Sequence, residues 1–135
     1  MSGKGRRLPD WVQDIRDAIA NIRSDIAALS EDAFLVDGKT LRAVAKSVSD
    51  IGEAANRIMA IAPGLQQSNQ RVWEHLRRVN AMRNVLAHGY FRTDAGVLWD
   101  TATAHLPKLE LLLDGISAIQ DDGVNEARGG AGDGP

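Results

Sequence analysis

The sequence contains no cysteine in its 135 residues. This absence excludes disulfide bonds, thiolate nucleophiles and cysteine-based zinc sites, and it removes any sign of an oxidising compartment. No apolar run approaches the roughly 20 residues needed to cross a bilayer, and the basic N-terminus leads into no apolar segment of the kind found in signal peptides. We therefore expect a cytoplasmic protein with no membrane span.

Histidine and tyrosine are scarce, with three histidines and one tyrosine in the whole chain. Two of the histidines, His75 and His105, show no ligand spacing with each other or with carboxylates, and the His-Glu-x-x-His pattern of zinc enzymes is absent. The sequence therefore predicts no metal site, and it indicates no other cofactor.

Net charge is low, at −2, but the charges are unevenly distributed. Residues 71–92 contain five arginines against one acid, Glu74, whereas residues 93–122 contain six acids against one lysine, Lys108. This asymmetry is compatible with an anionic ligand on the basic segment or with pairing between neighbouring elements. Taken alone, the charges favour a simpler explanation, namely solvated helix faces.

Apolar residues recur every three or four positions in four stretches, the spacing of one buried helix face. We therefore predict an all-α protein, an antiparallel bundle of four main helices joined by short polar connections. The four stripes are Trp11, Ile15, Ala18, Ile22, Ile26 and Leu29; Leu41, Val44, Val48, Ile51, Ala55 and Ile58; Val72, Leu76, Val79, position 83, Leu86 and position 90; and Leu98, Ala102, His105, Leu109, Leu112, Ile116 and Ile119.

Turn and capping residues predict where these helices begin and end. The second helix follows the turn "VDGKT", in which Thr40 can act as the cap, and it must stop near Pro63. Thr93 or Asp94 can cap the fourth helix, and Pro107 lies inside its pattern, where we expect a local kink. No internal repeat is present, and "QQSNQ" is interpreted as a polar connection.

The chain is long enough for one hydrophobic core. We predict a single helical domain over residues 9–120. Residues 1–8 and the Gly-rich, acidic residues 121–135 lack apolar periodicity, and both segments are predicted to be disordered.

Polar side chains interrupt the third stripe, where Arg83 and Tyr90 occupy positions expected to be apolar. These two residues are seven apart, which places them about 20° apart around an ideal helix. An arginine on an apolar stripe requires a carboxylate, a phosphate or a backbone oxygen as its partner. Asn80, Asn84 and His88 form a polar ridge on the adjoining face. Arginine, asparagine, histidine and tyrosine can therefore converge at one end of this helix.

Each of these residues also has a purely structural interpretation. Arg83 can pair with an internal acid such as Glu53, and for an isolated arginine that is the commoner explanation. His88 can be a helix-terminal histidine whose charged form is favoured by the helix dipole. Tyr90 can pack in the core or in an interface.

The octet "RNVLAHGY" resembles the signature of the HEPN superfamily, an arginine followed after four to six residues by a histidine. The resemblance is closer to the HepT branch, whose motif Arg-x-x-x-x-His-x-Tyr is matched by Arg83, His88 and Tyr90 without a gap. It extends over roughly residues 9–119, through "DIGEAANRI", "VWEHLRRVNAMRNVLAHGYF" and "LWDTATAHLPKLELLL".

The resemblance implies an all-helical, metal-independent endoribonuclease that forms a two-fold homodimer. It also implies that Arg83 and His88 of both protomers line one composite cleft. The side chains suit this chemistry, because a histidine near neutrality can transfer protons and an arginine can bind two phosphate oxygens with parallel donors. Asn84 can orient the RNA substrate or fix the tautomer of His88. One histidine per protomer is too few for a separate acid and base, which also favours a dimer.

The resemblance further implies a toxin–antitoxin system. HepT toxins are encoded beside a minimal nucleotidyltransferase of the MNT type, which acts as antitoxin and can transfer AMP to the tyrosine of the motif, here Tyr90. Two alternatives remain open: a non-catalytic helical module that binds a nucleotide or a partner enzyme, and a dimeric interaction protein in which Arg83 forms a structural ion pair.

Overall fold

The computed structural model describes residues 5–88 and 94–116, and within these ranges it contains helices and no strands. Residues 1–4, 89–93 (which include Tyr90) and 117–135 lie outside the described residues, so the disorder predicted for residues 1–4 and 121–135 stays a prediction. The disorder predicted for residues 5–8 is wrong at Leu8, which is buried and begins the first helix. The helices are α1 (Leu8–Ile26), α2 (Glu31–Leu35), α3 (Gly38–Ile61), α4 (Leu65–Ser68), α5 (Gln70–Ala87) and α6 (Ala95–Asp100), followed by a π-helical segment (Thr101–His105) and by α7 (residues 106–116).

The long helices form an antiparallel bundle, as the sequence predicts. Helix α3 packs between α1 and α5, and α5 in turn faces α6 and α7. Two ion pairs join α1 to α7 in antiparallel order, Arg16 to Asp114 at 2.7 Å and Arg23 to Glu110 at 2.6 Å. The predicted stripes supply most of the buried core, which includes Ile15, Ile22, Val44, Val48, Ile51, Ile58, Val72, Leu76, Leu98, Leu109 and Ile116.

Side-chain caps set the starts of four of the described helices, α2 (Ser30), α3, α5 and α6. Asp94 caps α6 by accepting the N–H of Gly96 at 2.8 Å, as predicted, and Asn69 caps α5. The predicted cap at Thr40 is wrong. Helix α3 begins three residues earlier because Asp37 accepts the backbone N–H of Thr40 at 3.0 Å. Hydrogen bonds from Thr40 also lower the pKa of the Asp37 carboxyl, which keeps the cap charged.

Two short helices lie in stretches without helical periodicity. Helix α2 places Phe34 in the core, where its ring lies 5.2 Å from that of Trp99. Helix α4 forms one turn within the stretch that was interpreted as a polar connection. A single turn presents too few residues to show a period, so sequence patterns do not detect such elements.

The irregularity expected near Pro107 is a π-helical segment directly before it. Proline has no N–H to donate to the carbonyl four residues earlier, and the helix instead closes a wider ring in which the N–H of Leu106 donates to the carbonyl of Thr101. This segment turns His105 toward α5. None of the described helices is long and apolar enough to span a membrane.

Candidate active site at the end of helix α5

Arg83 lies on the face of α5 that packs against α3. Its Nη1 donates to Oε1 of Glu53 at 2.8 Å, and its Nε donates to Oδ1 of Asn80 at 3.2 Å. The second oxygen of Glu53 accepts from Nε of Arg57 at 2.9 Å. One carboxylate thus holds two guanidinium groups, and the Arg83 side chain keeps 29% of its surface exposed. Arg83 is oriented by its neighbours and still reaches solvent.

Gly52 explains how α5 comes so close to α3 at this point. A methyl group added at Gly52 would overlap Cβ of Arg83 and would lie 2.9 Å from the carbonyl oxygen of Val79. The stretch "DIGEAAN" therefore provides a small residue where the helices touch and the carboxylate of Glu53 at the next position. This arrangement holds the stem of Arg83 against α3 and its head beside Glu53.

His88 is the C-terminal cap of α5, and its side chain is exposed. Its Nδ1 lies 2.7 Å from the main-chain carbonyl oxygen of Asn84. Because a carbonyl oxygen only accepts hydrogen bonds, Nδ1 carries a proton, and in the neutral ring Nε2 is left as the acceptor. The main chain of Asn84, rather than its amide side chain, therefore fixes the tautomer of His88.

The predicted site residues fall into two neighbouring groups within one chain. Arg83 belongs with Asn80 and Glu53, whereas His88 contacts Asn84, and no hydrogen bond joins Arg83 to His88 in the described part of the chain. Five helical positions separate the two residues by about 140° around the axis and about 7.5 Å along it. Tyr90 lies two residues beyond the cap, outside the described residues.

Comparison with known proteins places the chain in a family. A family profile described as "Ribonuclease HepT-like" matches residues 15–116, which include both groups. The chain belongs to the HepT-like ribonuclease family. A relative named "Probable ribonuclease HepT", from Thermococcus cleftensis, is 34% identical over 105 residues, which cover 78% of this chain and 91% of the relative. No solved structure matches the chain significantly.

The ion pair offered above as the structural alternative for Arg83 is present in this HepT-like chain. Its side chains are partly exposed, 29% for Arg83 and 39% for Glu53. Ion pairs of such exposure stabilise a fold by only about 0–1 kcal/mol. Arg83 can therefore exchange its carboxylate partner for a phosphate at little cost to the fold, while Arg57 remains beside Glu53 to balance that charge.

A second polar cluster lies between α5 and the π-helical segment. Arg78 Nη1 is 3.2 Å from Nδ1 of His105, and His75 lies one turn before Arg78 on α5. The sequence assigns His75 no role and places His105 on the apolar stripe of the fourth helix, and neither prediction indicates this cluster. One sequence signal points to this cluster. Pro107 predicts a distorted helix next to His105, and π-helical turns, one form of such distortion, often occur at functional sites.

The pKa values of His75 and His105 are lowered from 6.5, chiefly by burial and then by the neighbouring Arg78. Lys108 lowers both further and Arg71 lowers that of His75, whereas Asp100 raises that of His105. Between the lowered values and pH 6.5, these two histidines bind fewer protons in the folded protein than in the unfolded chain. Their contribution to the free energy of unfolding therefore decreases as the pH falls through that window.

We expect urea denaturation to give a lower free energy of unfolding at about pH 5.5 than at about pH 7.5. Replacing both rings, in a His75→Gln/His105→Gln protein, should reduce this difference because neither side chain then titrates. An identical decrease in the two proteins would show that other groups cause it.

Proposed function

We propose that this protein is the toxin of a toxin–antitoxin system and that it cleaves RNA as a metal-independent endoribonuclease. The observation that carries the proposal is that an oriented, partly exposed Arg83 and a His88 whose ring is held in one tautomer lie near the end of the same helix. Membership of the HepT-like ribonuclease family and the name of the Thermococcus cleftensis relative support RNA as the substrate.

Cleavage of RNA without a metal ion requires that a ribose 2'-OH loses a proton as its oxygen bonds to phosphorus and that the crowded phosphorane is stabilised. It also requires that the leaving 5'-oxygen gains a proton as its bond to phosphorus breaks, which leaves a cyclic phosphate and a 5'-hydroxyl. Nε2 of His88 is free to accept or return a proton, which typically contributes about 10²–10⁴ in rate. Arg83 binds two non-bridging phosphate oxygens through parallel donors. Asn84 supports this reaction by fixing the orientation of the His88 ring.

The active form in this proposal is a homodimer with one composite cleft. Each chain supplies a single histidine at this end of α5, which is not enough for a separate general acid and general base. An isologous interface would place each Arg83 and His88 beside its symmetry mate, so that four groups surround one phosphate.

Purified protein should cleave single-stranded RNA in the presence of EDTA, because the proposed chemistry uses only side chains. Gel electrophoresis of a labelled RNA, with and without the chelator, measures this directly. Loss of cleavage in EDTA, followed by recovery on addition of magnesium, would contradict a metal-independent mechanism.

We further propose that an MNT-type nucleotidyltransferase antitoxin neutralises the toxin by transferring AMP to Tyr90. The added phosphodiester would pair with Arg83, and the adenine would fill the cleft, so that RNA meets a steric block and a neutralised arginine.

Tyr90→Phe tests this regulation, since it keeps the ring and removes the hydroxyl that accepts AMP. With ATP and the partner enzyme, wild-type protein should gain the mass of one AMP and lose toxicity, while the Phe protein should do neither. If the nucleotidyltransferase abolishes the toxicity of the Phe protein as completely as that of wild type, Tyr90 is a structural residue and not the site of regulation.

The remaining candidates are a non-catalytic module that binds a nucleotide or a partner enzyme, and a dimeric interaction protein in which Arg83 forms a structural ion pair. The Arg83–Glu53 pair favours the interaction protein, because that contact already gives Arg83 a partner within the chain. Substitution of Arg83 separates RNA cleavage from the non-catalytic functions.

A further inference from the structure

A groove runs between α5 and the segment formed by α6 and the π-helical turn. It encloses a cavity of about 340 Å³ with an apolar floor that includes Val79, Met82 and Leu106. His75, Arg78 and His105 form one end of its rim. A volume of this size is typical of a site for a small ligand or for one unit of a polymer.

The rim carries one arginine, Arg78; a carboxylate, Asp100, also lines the cavity, but the two form no ion pair. Among the described residues, Arg78 forms no ion pair; its hydrogen bond goes to the ring of His105. Arg77, the next residue along α5, is by contrast paired with Glu74 at 2.9 Å. Arg71 and Lys108 are close enough to lower the pKa of His75, and the acid that acts on His105 is Asp100. A cationic rim of this kind attracts an anion.

The opposite end of the groove exposes apolar side chains. Val85 and Val97 are 53% and 42% exposed, although both border the cavity. The groove thus combines a cationic end with an open apolar end. A nucleotide has the same two parts, a phosphate and a base whose flat face packs on apolar side chains.

The groove also points toward the proposed active site. His75, Arg78, Met82 and Val85 follow one another at steps of three and four along α5, so they form one stripe of that helix. Three residues after Val85 comes His88. Arg78 and His88 are about 15 Å apart along the helix axis, a distance that a strand of a few nucleotides can span.

We propose that this groove, defined by His75, Arg78, Met82, Val85, Val97 and His105, binds one nucleotide of the RNA substrate away from the scissile bond. Its phosphate contacts Arg78, and its base packs on the apolar floor. The proposal rests on the proposed function, because it extends the RNA path from His88 along α5. It assigns no chemistry to His75 or His105, which border the phosphate as neutral donors or acceptors.

Binding is best measured in a His88→Ala background, where RNA is not consumed. Fluorescence anisotropy of a fluorescein-labelled single-stranded RNA, repeated at several salt concentrations, gives the affinity and its salt dependence. Arg78→Ala should weaken binding about tenfold and reduce the slope of log affinity against log salt by about 1, as expected for one lost phosphate contact. Arg77→Ala is the matched control, with the same charge change one residue away, and it should leave both quantities nearly unchanged.

A second variant tests the apolar end. Val97→Glu places a negative charge at the open rim on an exposed side chain, so it should weaken RNA binding and leave the thermal unfolding of the protein unchanged. If the Arg77→Ala and Arg78→Ala proteins bind RNA with equal affinity, whether or not that affinity is weakened, the proposal is overturned, because the groove then makes no specific contact. The proposal would also be overturned if Arg78→Ala and Val97→Glu left the RNA affinity unchanged but abolished binding to the nucleotidyltransferase. The groove would then be a protein-docking surface.

Failure of the proposed function would look different. If the wild-type protein does not cleave RNA but its RNA affinity depends on Arg78 and not on Arg77, the groove is supported and the nuclease is not. If the protein cleaves RNA and Arg78→Ala leaves the KM for a short RNA unchanged, only the groove is excluded.

Discussion

Arg83→Ala should lower the rate of RNA cleavage by about a hundredfold or more and should leave the bundle folded. The proposed mechanism predicts this loss because the substitution removes both donors that it assigns to the phosphorane, and the loss of one such electrostatic contact typically costs about 10²–10³ in kcat. The fold survives because the Arg83–Glu53 pair is partly exposed and Ala keeps the Cβ that contacts Gly52. Cleavage of a labelled RNA and circular dichroism measure the two effects.

His88→Ala should reduce cleavage to a similar extent, since it removes the only histidine near the end of α5. Its exposed ring makes one hydrogen bond, to a carbonyl oxygen that water can satisfy, so stability should change little. The two substitutions should not be additive, because a proton-transfer group and a phosphate-binding group act on one transition state.

Arg77→Ala provides the control for the loss of a guanidinium on α5, because Arg77 also pairs with a glutamate, Glu74, in a more exposed position. Arg83→Lys separates charge from geometry: lysine retains the charge but not the parallel donors, so most of the activity should still be lost. If Arg83→Ala instead unfolds the protein and His88→Ala cleaves normally, the non-catalytic alternative is correct.

The sequence was sufficient to predict the bundle because each long helix carries an apolar stripe over several turns, and those stripes form the core. It also indicated Glu53, an acid within the small-residue stretch of α3, as a possible partner of Arg83, and the structure shows that ion pair. Periodicity gave no reason to expect α2, whose burial of Phe34 depends on contact with Trp99 from a distant part of the chain.

The candidate site was predictable as a set of residues but not as a geometry. The spacing of Arg83 and His88 placed both at one end of α5, yet it did not show that the main chain of Asn84 contacts the His88 ring. The cluster of Arg78 and His105 was missed because these residues are 27 positions apart and meet only where the π-helical segment turns His105 toward α5. A pattern confined to one helix carries no signal for such a contact between helices.

Helices α3 and α5 approach each other closely at Gly52. Among the described glycines, Gly52 is therefore where replacement by alanine, the smallest possible side chain, should lower stability most. Gly52→Ala places a methyl group against Cβ of Arg83 and the carbonyl of Val79, and neither can move without displacing a helix backbone. Overpacking of this kind typically costs about 1–3 kcal/mol. Separation of the helices would also move Arg83 away from Glu53, so cleavage should decline together with the free energy of unfolding.

Gly115→Ala is the matched control, because a methyl group there meets nothing within 4 Å. Alanine favours the helix over glycine by about 0.5–1 kcal/mol, so helix propensity alone predicts that both substitutions stabilise the protein. We expect opposite signs instead: urea denaturation should give a lower free energy of unfolding for Gly52→Ala and a higher one for Gly115→Ala. Stabilisation by both would mean that the contact between α3 and α5 relaxes freely, and Gly52 would then have no part in holding Arg83 beside Glu53.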